Sequence, residues 1–308
     1  MACVHALALS LIALAAAGVD FGGNAALTVA SLCILTFGFP HGAFDLALIR
    51  SDWDRIGGGA ILPMYIGAAA SMAALWWAAP VLALAVFLAI AIIHFSEDWD
   101  DTGSTFLSTG VALALIAAPA LLHRVEVADI FVALTGTRQA SLLADGLLFS
   151  APVGLAVAVA AILALCLERR FGTAASAATS LAALICLPPA VGFAVFFCAF
   201  HSPRHLGQAV RTLGLTRSSQ WIRIAAPTMM GALALVAVLY TVRQQLPTGL
   251  GLTSTTFMAL SILTIPHMLV PRLAAALAQR SRSAARQPAF DIGAQRPPHL
   301  DRSDRLLH

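Results

Sequence analysis

Runs of about 17–25 consecutive apolar residues, each long enough to cross a ~30 Å hydrocarbon core, recur through most of this chain. Hydrophobic residues make up 59% of its 308 residues and charged residues only 11%, which leaves too few polar side chains for a water-soluble globule. In lipid, every backbone N–H and C=O must find its partner inside the protein, so the spanning elements are either helices or a closed barrel. The strict alternation of a barrel strand is missing, and Ala- and Leu-rich runs dominate. The expected fold is therefore all-α: a polytopic transmembrane helical bundle of about ten spans embedded in the lipid bilayer.

The runs fall near 4–19, 24–49, 60–79, 80–98, 104–122, 150–168, 173–188, 190–212, 222–246 and 252–271. Between them lie Gly22-Gly23, Gly57-Gly58-Gly59, Pro80, the acidic stretch Glu97 to Asp101, Gly172 and Pro188-Pro189, all poor continuations of a helix. Residues 123–149 carry Arg124, Glu126, Asp129, Arg138 and Asp145, and read as a surface or re-entrant segment. With ten crossings, one side receives Arg50, Arg55, Arg169, Arg170, Arg211, Arg217, Arg223 and the tail arginines from Arg272 to Arg305. The other side keeps Arg124, Arg138 and Arg243. That bias predicts a membrane protein with both termini cytoplasmic. The tryptophans Trp53, Trp76, Trp77, Trp99 and Trp221 fall at span ends, where indole favours the interface. No basic n-region precedes the first run, so it is read as a retained span and not as a cleaved signal. Residues 1–271 form one expected transmembrane catalytic domain, and 272–308 a polar, Arg- and Pro-rich cytoplasmic tail, expected to be disordered. The net charge of +3 reflects flanking arginines and implies no nucleic-acid partner. Five cysteines without a CxxC pair suit unpaired buried thiols.

Four histidines interrupt this apolar background: His41 in GFPHGAFD, His94 in IIHFSED, and His201 with His205 in FHSPRH. Imidazole is costly at membrane depth, and several on separate helices point to a metal site between helices. His201 and His205 are four residues apart and share one helix face, as a two-nitrogen clamp requires. Asp45 follows His41 by one turn, and Glu97 and Asp98 follow His94 by three and four residues. A metal-bound histidine usually donates its other ring N–H to a carboxylate, so these acids are candidates for that role. Asp45 and Glu97 are the main candidates, whereas Asp98, Asp100 and Asp101 are read as capping or solvating a helix end. Arg204 is deep for an arginine, with Asp45 its expected partner, and His267 in TIPHMLVP is a candidate fifth site residue, read more readily as pocket lining or helix contact than as a ligand. An all-imidazole set is acceptable to iron, copper or zinc. Phenylalanines crowd the same motifs, and Phe37, Phe39, Phe44, Phe95, Phe197 and Phe200 are candidate lining for a flat conjugated hydrocarbon.

The segments GFPHGAFD, IIHFSED, FCAFHSPRH and TIPHMLV, in this order, resemble the signature segments of the Brp/Blh family of bacterial β-carotene 15,15′-dioxygenases. The similarity runs from about residue 33 to 271. It implies an integral membrane enzyme holding Fe(II) through His41, His94, His201 and His205, which takes β-carotene and O2 and cleaves the central double bond to give two all-trans-retinal. Phe44 departs from the leucine usual at its position, and Pro203 from the polar or basic residue usual between the paired histidines.

Two other readings belong beside this one. A transporter or ion-coupled carrier would use Asp45, Arg204 and the histidines as a relay, but it should show repeat symmetry, and the histidine motifs are unlike one another. An oxygenase acting on a different carotenoid would have the same residues. A retinal-binding photoreceptor is excluded, because the chain has no lysine for a Schiff base.

Overall fold

The computed structural model describes residues 2–49, 59, 61–243 and 251–286, with the side chains of 41, 243 and 278–286 outside that description. Every regular element among the described residues is helical. In chain order these are α1 (Ala2–Ala16), α2 (Asn24–Ile49), α3 (Ile61–Ala78), α4 (Pro80–Thr102), α5 (Thr105–Ala117) and α6 (Pro119–Thr135). They continue with α7 (Arg138–Leu167), α8 (Phe171–Cys186), α9 (residues 189–212), α10 (Ser218–Arg243) and α11 (Gly251–Arg286).

Six of these, α2, α3, α4, α7, α10 and α11, are long and apolar enough to cross a bilayer, and the α5–α6 pair, bent by 51°, makes a seventh if it is one span. The protein is thus a multi-pass membrane bundle with fewer full-length spans than the ten expected. The difference lies in α1 and α8, apolar but shorter than a full crossing, and in α9, which an irregular turn interrupts. Residues 123–149 form most of α6 and the start of α7. Their charge is tolerated because Arg124 Nε donates to Asp145 Oδ1 across the two helices at 2.8 Å. The expected tail begins later than residue 272, since α11 holds Pro266 and Pro271 within it and runs on to Arg286. Residues 287–308 lie outside the described residues, as does Trp53. Trp76 and Trp99 are buried in the bundle and not at an interface, and Trp76 Nε1 donates to Ser261 Oγ at 2.6 Å. The five cysteines are unpaired, with Cys3 and Cys186 facing outward and the others half-buried.

Lipid tails are as apolar as leucine, so helices associate here through close packing of small residues. The main core joins α2, α4, α5, α7, α8, α9 and α11 and is rich in alanine: Ala112, Ala114, Ala158, Ala161 and Ala177 are all fully buried. Gly154 of α7 sits against α5 so closely that a Cβ there would be 2.9 Å from the Ala114 backbone nitrogen.

Two helices, α2 and α9, widen into a π turn, and each does so just before a proline. In α2 a π turn at Ile34–Gly38 leads into a 3-10 turn at Phe39–Phe44, with Pro40 near the latter's start. In α9 a π turn at Phe197–His201 precedes Pro203. Pro40 and Pro203 have no N–H to offer Thr36 and Ala199, and their rings crowd those carbonyls, so the preceding turn widens. The two widened turns brace one another: Ser202 Oγ donates to the carbonyls of Phe37 at 2.7 Å and Gly38 at 3.1 Å. The Phe197 ring occupies the space that any Cβ at position 38 would need.

Replacing Gly154 with leucine should push α5 and α7 apart at a cost of about 1–3 kcal/mol, the usual range for overpacking. Thermal unfolding in detergent should show a lower Tm for Gly154→Leu. Gly146→Leu, on the same helix where a Cβ meets open space, should leave it unchanged.

Candidate metal centre

The irregular turn in α9 delivers His201 to the bundle interior, and the helix resumed at Ser202 carries His205 one turn further. Opposite them, α4 carries His94, three residues before that helix tightens into a 3-10 turn at Glu97–Thr102. His94 and His201 are buried at 4% and 1% exposure. Their rings lie 4.7 Å apart centre to centre, with His201–His205 at 4.5 Å and His94–His205 at 5.3 Å. One nitrogen from each of the three falls within 4.8 Å of the others, a grouping able to hold a metal ion.

Asp98, one turn beyond His94, is the carboxylate that arranges the other two rings. It is 5% exposed, and its Oδ2 accepts from His201 Nδ1 at 2.7 Å while Oδ1 accepts from His205 Nε2 at 3.1 Å. An ionised carboxylate only accepts, so those two nitrogens carry the hydrogens. Nε2 of His201 and Nδ1 of His205 are left with lone pairs, the state a metal requires. His201 and His205, each held by Asp98 at one nitrogen, and His94 offer imidazole donors that suit iron(II), copper or zinc alike.

The sequence reading had set Asp98 aside as a helix-end residue. The signal was its spacing of four from His94, which puts both on one helix face; the surrounding run of acids masked it. Asp100 and Asp101 are exposed, and Asp101 pairs with Arg170. Glu97 approaches His94 Nδ1 at 3.8 Å and also pairs with Arg272.

Arg204 does not meet Asp45, contrary to expectation. It donates to the Asp98 backbone carbonyl, and its guanidinium lies 5.3 Å above the Trp99 ring. The 3-10 turn in α2 winds at three residues per turn and swings Asp45 toward α3 and α11 instead. There Asp45, 3% exposed, accepts from His267 Nδ1 at 2.8 Å and from the Tyr65 hydroxyl at 3.2 Å. Tyr65 had escaped notice because a lone tyrosine in an apolar run carries no spacing signal. His267 stands 5.0 Å from His94, ring to ring. The Asp45–Arg204 relay that a carrier would use is therefore not formed.

His41 lies in the 3-10 turn of α2, and its side chain is outside the described residues. That turn borders the site: a Cβ on the next residue, Gly42, would be 3.5 Å from His267 Nδ1.

The candidate lining residues divide. Phe197 stacks on His201 at 5.2 Å, and Phe95 meets the same ring edge-on at 4.8 Å. Phe39 lines a cavity of about 440 Å³ that reaches His267. Phe37 points outward at 64% exposure, Phe44 packs near Ala209, and Phe200 sits in the core against His5. A small void beside His94 shares Leu260 and Thr264 with the large cavity. It shares Phe87, Ala91 and Phe95 with a second, apolar cavity further inside. The three spaces form a row that passes the imidazole cluster.

A multi-pass helical bundle with a buried histidine cluster able to hold a metal ion, set beside apolar cavities, narrows the class to membrane proteins built around such a centre. The sequence model of the family described as beta-carotene 15,15'-dioxygenase matches residues 32–274, and the chain belongs to that family of carotenoid dioxygenases. It is 28% identical to the probable beta-carotene 15,15'-dioxygenase Blh of Halobacterium salinarum, over 86% of this chain and 89% of that one. It is 27% identical to the beta-carotene 15,15'-dioxygenase of an uncultured marine bacterium, 66A03, over 78% of this chain and 91% of that one. No solved structure gives a significant match.

Asp98→Asn should weaken iron binding by about 10–100-fold, the usual loss when the carboxylate behind a metal-bound histidine is removed. Titration of metal-free protein with ferrous ion checks this, and an unchanged affinity would remove Asp98 from the centre.

Proposed function

We propose that this protein is an iron-dependent dioxygenase that cleaves β-carotene at its 15,15′ double bond with O2, yielding two all-trans-retinal. The observation that carries the reading is the cluster of His94, His201 and His205 beside the row of apolar cavities. The names of the two relatives support the choice of substrate and bond.

His94, His201 and His205, with His41 as the fourth, would hold the iron. When bound, ferrous iron supplies the one-electron chemistry that lets ground-state dioxygen react with a closed-shell alkene. The reaction balances without a reductant: one C=C bond breaks, two C=O bonds form, and each aldehyde takes one oxygen atom. No proton has to be moved, in keeping with a site whose carboxylates, Asp98 and Asp45, are both engaged with imidazoles. Asp98 fixes the tautomers of His201 and His205, and Phe197 stacked on His201 limits that ring's rotation. Phe87, Ala91, Phe95 and Leu260 would hold the polyene beside His94 and exclude water from it. Such positioning of a bound substrate is worth several orders of magnitude in rate. The protein acts as one catalytic membrane domain in the inner membrane, with both termini cytoplasmic and the Arg-rich tail on that side.

Cells that accumulate β-carotene should lose pigment and gain extractable retinal when they express this chain. His41→Ala, His94→Ala, His201→Ala and His205→Ala should each abolish retinal and lower bound iron. A variant that kept both would not be missing a ligand.

A further inference from the structure

Two helices flank the large cavity without closing it. From α3 come Leu62, Ile66 and Ala69, at helical spacing on one face, with Tyr65 beside them. From α10 come Pro227 and Gly231, one turn apart, with Thr228 and Ala232 next to them. The back wall is α11, through Leu260, Leu263, Thr264 and His267. Both α3 and α10 pack on α11, but they have no substantial packing on each other. A gap therefore opens between them on the outer face of the bundle.

Its rim is apolar and uncovered among the described residues: Leu62 is 48% exposed and Ile66 58%, and Pro227 and Gly231 are exposed as well. Its inner end is His267, whose ring is 5.0 Å from that of His94. The lining residues of the second apolar cavity are buried or half-buried, whereas Leu62, Ile66, Pro227 and Gly231 give the large cavity an exposed rim.

We propose that the gap between α3 and α10 is a lateral portal through which a carotenoid passes from the lipid to the metal centre and its products return. The proposal rests on the carotenoid reading above. Small residues keep the portal wide: Gly231 presents no Cβ, and Pro227 leaves the α10 backbone without a hydrogen bond at the same level. A hydrocarbon polyene dissolved in the bilayer meets mostly apolar side chains along this route, with Tyr65, Thr228, Thr264 and His267 the polar ones, and never has to cross water.

The test is Gly231→Trp, with Gly67→Trp as its counterpart. A Cβ at either position meets open space, so neither change forces a clash, and Gly67 lies next to Ile66 but outside the cavity. In proteoliposomes carrying β-carotene, Gly231→Trp should lower kcat/KM by about tenfold or more, while bound iron and Tm stay at wild-type values. Uptake of β-carotene by the metal-free protein, followed by its absorption spectrum, should slow in parallel. Gly67→Trp should behave as wild type. A Gly231→Trp protein within twofold of wild type in both assays, or an equal loss in Gly67→Trp, would overturn the portal alone. Wild-type protein that leaves β-carotene intact would instead overturn the carotenoid reading, and the portal with it.

Discussion

A single buried carboxylate holds two helices and two imidazoles in register. Asp98 belongs to the end of α4, and both rings it orders, His201 and His205, belong to α9. Placing an ionised group there is costly, and only its two N–H donors and the surrounding dipoles offset that cost. Removing either ring leaves the charge uncompensated, a change worth about 3–5 kcal/mol at buried pairs. The same bonds that tie α4 to α9 therefore dictate which nitrogen of each histidine keeps its lone pair. Structural cohesion and readiness for metal come from one interaction.

That interaction depends in turn on local winding. Had α9 continued as a regular helix through Phe197–His201, the His201 and His205 rings would point elsewhere relative to Asp98. Pro203 denies Ala199 its usual donor, and the widened turn that results carries His201 inward. Pro40 does the corresponding thing in α2, and Ser202 binds the two irregular turns together. Two prolines that would weaken ordinary helices are thus accommodated at turns that Ser202 braces through the carbonyls of Phe37 and Gly38.

The helical class and most of the breaks were legible in the sequence, because lipid imposes a composition and a length on each crossing. The number of full crossings was less so. Apolar runs in α1 and α8 look like spans by hydropathy, but the helices formed from them are short. Around the site, the spacing of His201 and His205 gave their shared face directly, whereas Asp98 was hidden by the acidic run that follows His94. The Asp45–Arg204 pairing failed for a different reason. It assumed a continuous helix in α2, and one 3-10 turn is enough to send the carboxylate to His267 and Tyr65 instead. Hydropathy and spacing report what a regular helix would do; they are silent where proline changes the winding.

Helix α11 joins the two surroundings of the centre. Its Thr264 and His267 look toward the large apolar cavity, and Arg272, a turn or so beyond, pairs with Glu97 beside His94. Glu97 and Arg272 are partly exposed, at 36% and 55%, so this end of the site meets a polar environment while the cavity meets lipid. A cation and a hydrocarbon have opposite solvation needs, and one channel serving both would suit neither. Here the acidic pair and the apolar cavity are separate surroundings of the centre, and α11 contributes to both, through Arg272 and through His267.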